Sequence, residues 1–194
     1  MMSQTLSFCF KGNRTYVHGT DIVAELFKHF ADVVITDIDL KFNGIALTNL
    51  NLIEGEEADD ARVNIRLNLN GKEKVMQLVE NGETPDCWCE YDEKSIREKC
   101  YLEQANKLIH LEQVSHYTLC ENYVAMNKFL LQSLYPEEKG KWYFTRLEQK
   151  RVIEEEALIT VKFIKNFNFL LTKSDILAND EVVASVYFTL KRGE

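Results

Sequence analysis

Three short stretches of the chain gather side chains that can move protons or bind ions. The first is His18-Gly19-Thr20-Asp21, with Glu25 four residues on. On a helix, residues four apart lie on one side, a turn from each other. A carboxylate at Asp21 or Glu25 can act as general base or orient a water. Histidine is the side chain whose charge changes near neutral pH, so His18 can be the acid–base partner. Each also has a plainer role. Asp21 can cap a helix with the same geometry and no chemistry, His18 can be a loop histidine, and Glu25 an ordinary surface charge. The second stretch is Cys120-Glu121-Asn122. Glu121 and Asn122 form a matching polar pair at a later helix start, or one of them caps that helix. The third is Cys87-Trp88-Cys89, with Cys100 and His110 or His116 elsewhere. Thiolates and imidazole suit zinc, but zinc sites normally use two such pairs and the chain has one, so no metal is expected. Tyr16 and Tyr117 precede the two helices and either flank a cleft or pack the helix starts.

The rest of the chain must position these groups. Its 194 residues make one large domain or two small ones. Hydrophobic and charged residues, at 45% and 28%, match a soluble globular chain, and eight Gly with two Pro leave no linker-dominated stretch. The formal charge is −8, which excludes the basic footprint of nucleic-acid or anionic-membrane binders. No apolar run approaches the roughly 20 residues of a membrane span, and residues 1–10 lack a signal-peptide pattern. A cytoplasmic protein is expected, and five cysteines, an odd number, suggest free thiols over a disulfide framework. Phosphate-loop, nucleophile-elbow and dinucleotide motifs are absent, and no cofactor is expected.

Alternation and turn residues mark the elements. Residues 6–11 read as a short strand. Thr20 or Asp21 can cap a helix through about Phe30, with Ile22, Val23, Leu26, Phe27 and Phe30 on one face. Strand patterns follow at 33–42 and 45–53, then an acidic loop at 54–60. Runs at 61–69 and 74–79 flank Asn70-Gly71, a strong hairpin signal. Residues 83–106 read as a linker with a helix within 92–108. Beyond it the pattern returns: a strand at 108–112, a helix at 121–134, and strands near 142–152, 157–169 and 181–191. Phe163, Phe167 and Phe169 alternate as one core face.

The two halves can be overlaid. A shift of 101 places Phe8 and Phe10 on Ile109 and Leu111, Tyr16 on Tyr117, and Val23-Ala24 on Val124-Ala125. Residues 1–82 and 107–194 then form two repeats of strand, helix and antiparallel strands. An irregular single α+β domain is the alternative.

This layout resembles the hot-dog fold, in which a sheet wraps a central helix. His18-Gly19-Thr20-Asp21-Ile22-Val23 is similar to the Gly-x-Asp helix entry of the 3-hydroxyacyl-carrier-protein dehydratases. Ile38-Asp39-Leu40-Lys41-Phe42-Asn43-Gly44 is similar to the strand that follows there. The resemblance implies an α+β protein of two tandem hot-dog units (a double hot dog), each a long central helix wrapped by a twisted antiparallel sheet. It implies binding of acyl thioesters of coenzyme A or acyl carrier protein, with thioesterase or dehydratase-like chemistry, or a non-catalytic binding module on the same fold. Hot-dog proteins usually pair through their sheets, so a homodimer is implied. Asp21, His18 and Glu25 would be catalytic. Tyr16, Gly19, Thr20, Tyr117, Glu121 and Asn122 would contact substrate, and the amides of residues 20–22 would polarise the carbonyl at the helix start. The dehydratases' upstream-loop histidine has no counterpart in the first half.

Overall fold

The computed structural model describes residues 3–56, 60–154 and 157–192. The chain divides into two compact units. One holds residues 1–92 with 149–152, and the other residues 93–148 with 153–194.

In the first unit β1 (Ser3–Leu6) and β2 (Phe10–Lys11) precede α1 (Gly19–His29). Then come β3 (Ile35–Phe42), β4 (Leu50–Glu54), β5 (Val63–Leu69), β6 (Lys72–Glu80) and β7 (Trp88–Cys89). Five of these strands lie in the order β1-β4-β6-β5-β3, and β2 pairs with β7 in a separate two-stranded ribbon. Asn70 and Gly71, both at positive φ, make the turn between β5 and β6. That backbone is one Asn and Gly adopt readily. Ile22, Val23 and Leu26 of α1 are buried, as are Leu40, Leu52, Ile65 and Leu78 of the strands. The alternation read from the sequence thus becomes a sheet with one face covered.

In the second unit α2 (Glu93–Arg97), β8 (Cys100–Glu103) and β9 (Leu108–Leu111) precede α3 (Leu119–Leu134). β10 (Lys141–Arg151), β11 (Ile159–Phe167), β12 (Leu171–Ala178) and β13 (Glu181–Lys191) follow. The final residues of β10, 149–151, fall in the first unit. The order is β10-β13-β12-β11-β9-β8. A capping box starts α3: Thr118 Oγ1 accepts from the Glu121 amide at 3.3 Å, and the Thr118 amide donates to Glu121 Oε2 at 2.8 Å.

Several expectations need correction. Among the described residues, antiparallel strands dominate both units, five in the main sheet of the first and six in that of the second. The α-helices there have 11, 5 and 16 residues. Two units each built on a long central helix wrapped by its own sheet do not describe the chain. The helix within 92–108 stops at Arg97 and gives way to β8, because 100–103 pairs with β9 in an antiparallel register. The strand β12 went unread, since its buried positions include Thr172 and Ser174 where an apolar residue was sought. Phe163, Phe167 and Phe169 do not share a core face. A bulge between Phe163 and Lys165 breaks the alternation, leaving Phe163 buried and Phe167 45% exposed. Of the acidic stretch 54–60, residues 57–59 lie outside the described residues.

Glu80, at the end of β6, ties a loop to the first sheet. It accepts from the amides of Leu47 and Thr48 at 2.6 and 3.2 Å and from Arg62 Nε at 2.8 Å. Burial pushes its carboxyl up, but these bonds and the Arg62 charge together outweigh burial and hold it below the ordinary 4.5. A carboxylate lowered on folding stabilises above its unfolded pKa and loses that contribution as pH falls through the folded value. We expect wild-type stability to drop below about pH 4.5 more steeply than that of Glu80→Gln. Urea midpoints measured from pH 3 to 7 check this, and parallel curves would show that Glu80 contributes nothing to the slope.

Candidate functional site

The chain enters α1 through His18, whose extended backbone places its carbonyl at the head of the helix. The amides of Asp21 and Ile22 donate to that carbonyl at 3.0 and 3.3 Å. Neither is directed at a ligand, which corrects the expectation that amides 20–22 act as a set of oxyanion donors. Neither Thr20 nor Asp21 caps the helix. His18 holds the cap position, and Asp21 stands in the first turn, where a negative charge suits the helix dipole.

The residue that organises this helix start is Lys11 of β2, which sequence reasoning passed over. Its ammonium forms an ion pair with Asp21 and lies 3.4 Å from Thr20 Oγ1 and 5.1 Å from the centre of the Tyr91 ring. The Lys11 side chain is 9% exposed and that of Asp21 22%. A charge pair so far from water interacts more strongly than one on the surface. No spacing rule links residues 11 and 21. Their meeting depends on β2 passing the helix start, a tertiary fact. His18 Nδ1 sits 2.7 Å from Thr20 Oγ1 and its ring packs on Tyr91 at 5.6 Å, so it joins the same polar group through Thr20.

Beside this group lies a cavity of about 580 Å³ within the first unit. Asp21, Ala24 and Glu25 of α1 and Lys11 of β2 line it, together with Asn49 and several residues of the segment 83–89. Both carboxylates singled out in the sequence therefore face one space. Glu25 also pairs with Lys28 at 3.1 Å across a surface turn. His18, Tyr16, Gly19 and Thr20 are not among the lining residues. Gly19 begins α1, and Tyr16 is half-buried just ahead of it.

The cavity wall carries a second surprise. Cys9 and Cys87 are joined by a disulfide across 78 residues of sequence, which corrects the expectation of free thiols at these two cysteines. Cys89 keeps an exposed thiol two residues on. An odd cysteine count excludes a full set of pairs but says nothing against one.

In the second unit the structure brings Tyr117, Glu121 and Asn122 together at the start of α3. Asn122 Oδ1 accepts from Ser115 Oγ at 2.6 Å, and its Nδ2 donates to the Tyr117 carbonyl at 3.3 Å. Glu121 serves the capping box, and both side chains are buried. Cys120 is buried as a small apolar residue. Cys100 donates to the Ile96 carbonyl, and burial, with Glu112 adding to it, pushes its thiol up to about 11.

No family model and no curated relative matches the sequence. Solved structures do. The pyran synthase domain from module nine of the sorangicin pathway superposes with a TM-score of 0.50 at 11% identity, covering 99% of this chain and 93% of its own. The tesB protein of Mycobacterium avium subspecies paratuberculosis gives a TM-score of 0.50 at 9% identity, covering 97% and 93%. Among the described residues, no helix is long and apolar enough to cross a membrane. At such identities the likeness is one of architecture, and by it the protein has the hot-dog fold, with a sheet far larger than its helices.

Proposed function

We propose that the protein binds an acyl thioester, carried on coenzyme A or acyl carrier protein, in the cavity beside α1. If it turns the thioester over, Asp21 and Glu25 direct the water or take the proton. The observation that carries this reading is the cavity itself. Two carboxylates one helical turn apart line a space of about 580 Å³, in the size range of small-molecule sites. His18 acts through Thr20 in this scheme, keeping the first turn in place. Tyr117, Glu121 and Asn122 belong to the second unit's helix start, and their part in substrate contact is a proposal from the resemblance alone. The cytoplasm is the proposed location, and residues 1–82 and 107–194 are the proposed repeats.

A specific observation also favours a non-catalytic binding module. Lys11 holds Asp21 in an ion pair, and the amides of Asp21 and Ile22 are taken by the His18 carbonyl. Groups so committed serve to shape a site as readily as to react.

Filling the cavity tests binding in either case. Ala24 is half-buried on the cavity side of α1. Ala24→Trp is expected to weaken binding of a non-hydrolysable acyl-pantetheine amide at least tenfold by calorimetry while leaving the circular dichroism unchanged. Equal affinity in the variant would place the ligand elsewhere.

A further inference from the structure

We propose that the Cys9–Cys87 disulfide is a redox latch on this cavity, closed by oxidation and opened by a dithiol reductant. The bond joins the residue just before β2 to the segment 83–89, and both of its cysteines line the cavity. Beyond the bond, the segment is held by a short ribbon, by the Trp88 ring 5.6 Å from that of Phe10, and by Tyr91 beneath Lys11 and beside His18. Its ribbon with β2 is two residues long, with the Phe10 amide donating to the Cys87 carbonyl at 2.9 Å and the Gly12 amide to the Cys89 carbonyl at 2.8 Å. At its other end Glu83 accepts from the Asn49 amide at 2.8 Å, and Pro85 is buried. Trp88 is 63% exposed, and Asp86, Cys89 and Glu90 are exposed too. A stretch so exposed, on a two-residue ribbon and a few ring contacts, is drawn from the low-stability end of a fold, where one covalent tie decides whether it stays docked.

Opening follows ordinary thiol–disulfide exchange. A thiolate of the dithiol attacks one sulfur of the bond, forming a mixed disulfide and freeing the other cysteine as a thiolate. The second thiol of the reductant then displaces the remaining cysteine. Two electrons pass to the protein, the reductant leaves as a cyclic disulfide, and Cys9 and Cys87 take up protons. The released wall carries Asp86, Cys87 and Cys89 away from Asp21 and Glu25. Ligand binding then depends on the thiol potential of the surroundings, a consequence that rests on the cavity being the binding site proposed above.

Hydrogen–deuterium exchange on the full chain tests the latch without any ligand. Three forms are compared: oxidised, reduced with dithiothreitol, and the Cys9→Ser/Cys87→Ser variant. Alkylation with iodoacetamide before and after reduction checks the state, with Cys9 and Cys87 labelled only after it. The latch predicts that amides of residues 10–12 and 86–91 exchange at least tenfold faster in the reduced and variant forms. It also predicts unchanged exchange in α3 and β11, and reversal on reoxidation. Unchanged exchange at 86–91, or a uniform rise across the whole chain, would overturn it. Calorimetry with the acyl-pantetheine amide separates the two proposals. Local release with no binding by any form keeps the latch and removes the acyl reading. Equal binding by oxidised and reduced forms would overturn the latch as a control on the site.

Discussion

Replacing Asp21 and Glu25 together, as Asp21→Asn/Glu25→Gln, is expected to lower thioester turnover by at least about 100-fold while the chain stays folded. A positioned acid or base contributes roughly 10²–10⁴ in rate. Both carboxylates line the same cavity. The amides keep shape and hydrogen-bonding capacity but can neither take a proton nor present a full negative charge. The single variants separate their roles. Asp21 is tied to Lys11 and Glu25 to Lys28, and the Lys28 side chain is 75% exposed. Glu25 can therefore leave its partner at little cost, whereas Asp21 cannot. Glu25→Gln alone is expected to carry most of the loss in kcat, with Asp21→Asn acting more on KM. Steady-state kinetics on whichever thioester is turned over checks this, and wild-type rates in the double variant would remove both residues from the mechanism.

Lys11→Met is expected to destabilise the protein by about 3 kcal/mol, the low end for breaking a buried ion pair, because Asp21 keeps 22% exposure and regains some water. The substitution leaves a carboxylate in the first turn of α1 with its cation gone. In a chain of this size the loss is a fall of roughly 6–12 °C in Tm. Adding Asp21→Asn removes the charge that Lys11 balanced, so the double variant should recover most of the stability. Thermal melts of the four proteins in the cycle measure the coupling. A double variant no more stable than Lys11→Met would show that packing of the lysine stem against Tyr91 matters and the ion pair does not.

Local signals carried much of the architecture. The Asn70-Gly71 hairpin was legible because its turn needs the positive φ that these residues tolerate and because both flanking runs alternate. The buried face of α1 was legible at Ile22, Val23 and Leu26, where helical spacing coincides with burial. Where the reading failed, a non-local pairing overrode a local preference. Residues 100–103, within a charged, helix-prone stretch, become a strand because β9 offers them an edge. β12 hides its face behind Thr172 and Ser174, and a single bulge turns Phe167 to solvent. A long central helix in each unit was expected, yet the α-helices among the described residues have 11, 5 and 16 residues.

At the site, Asp21 and Glu25 were visible because their spacing on one helix suffices to align them. Lys11 was not, since its partner lies ten residues on across a turn. Nor was the Cys9–Cys87 bond, whose sulfurs are brought together only by the parallel pairing of β2 and β7.

The most direct measurement is an incubation of the oxidised chain with short, medium and long acyl thioesters of coenzyme A and acyl carrier protein, including 3-hydroxyacyl and enoyl forms. It is followed by mass spectrometry, because the exposed Cys89 thiol would confuse a thiol-release dye. The account predicts a ligand held in the cavity, seen as a retained acyl species in native spectra. For an enzyme it predicts in addition loss of the acyl group or a mass change of one water. A folded protein that neither retains nor alters any of these thioesters would contradict it.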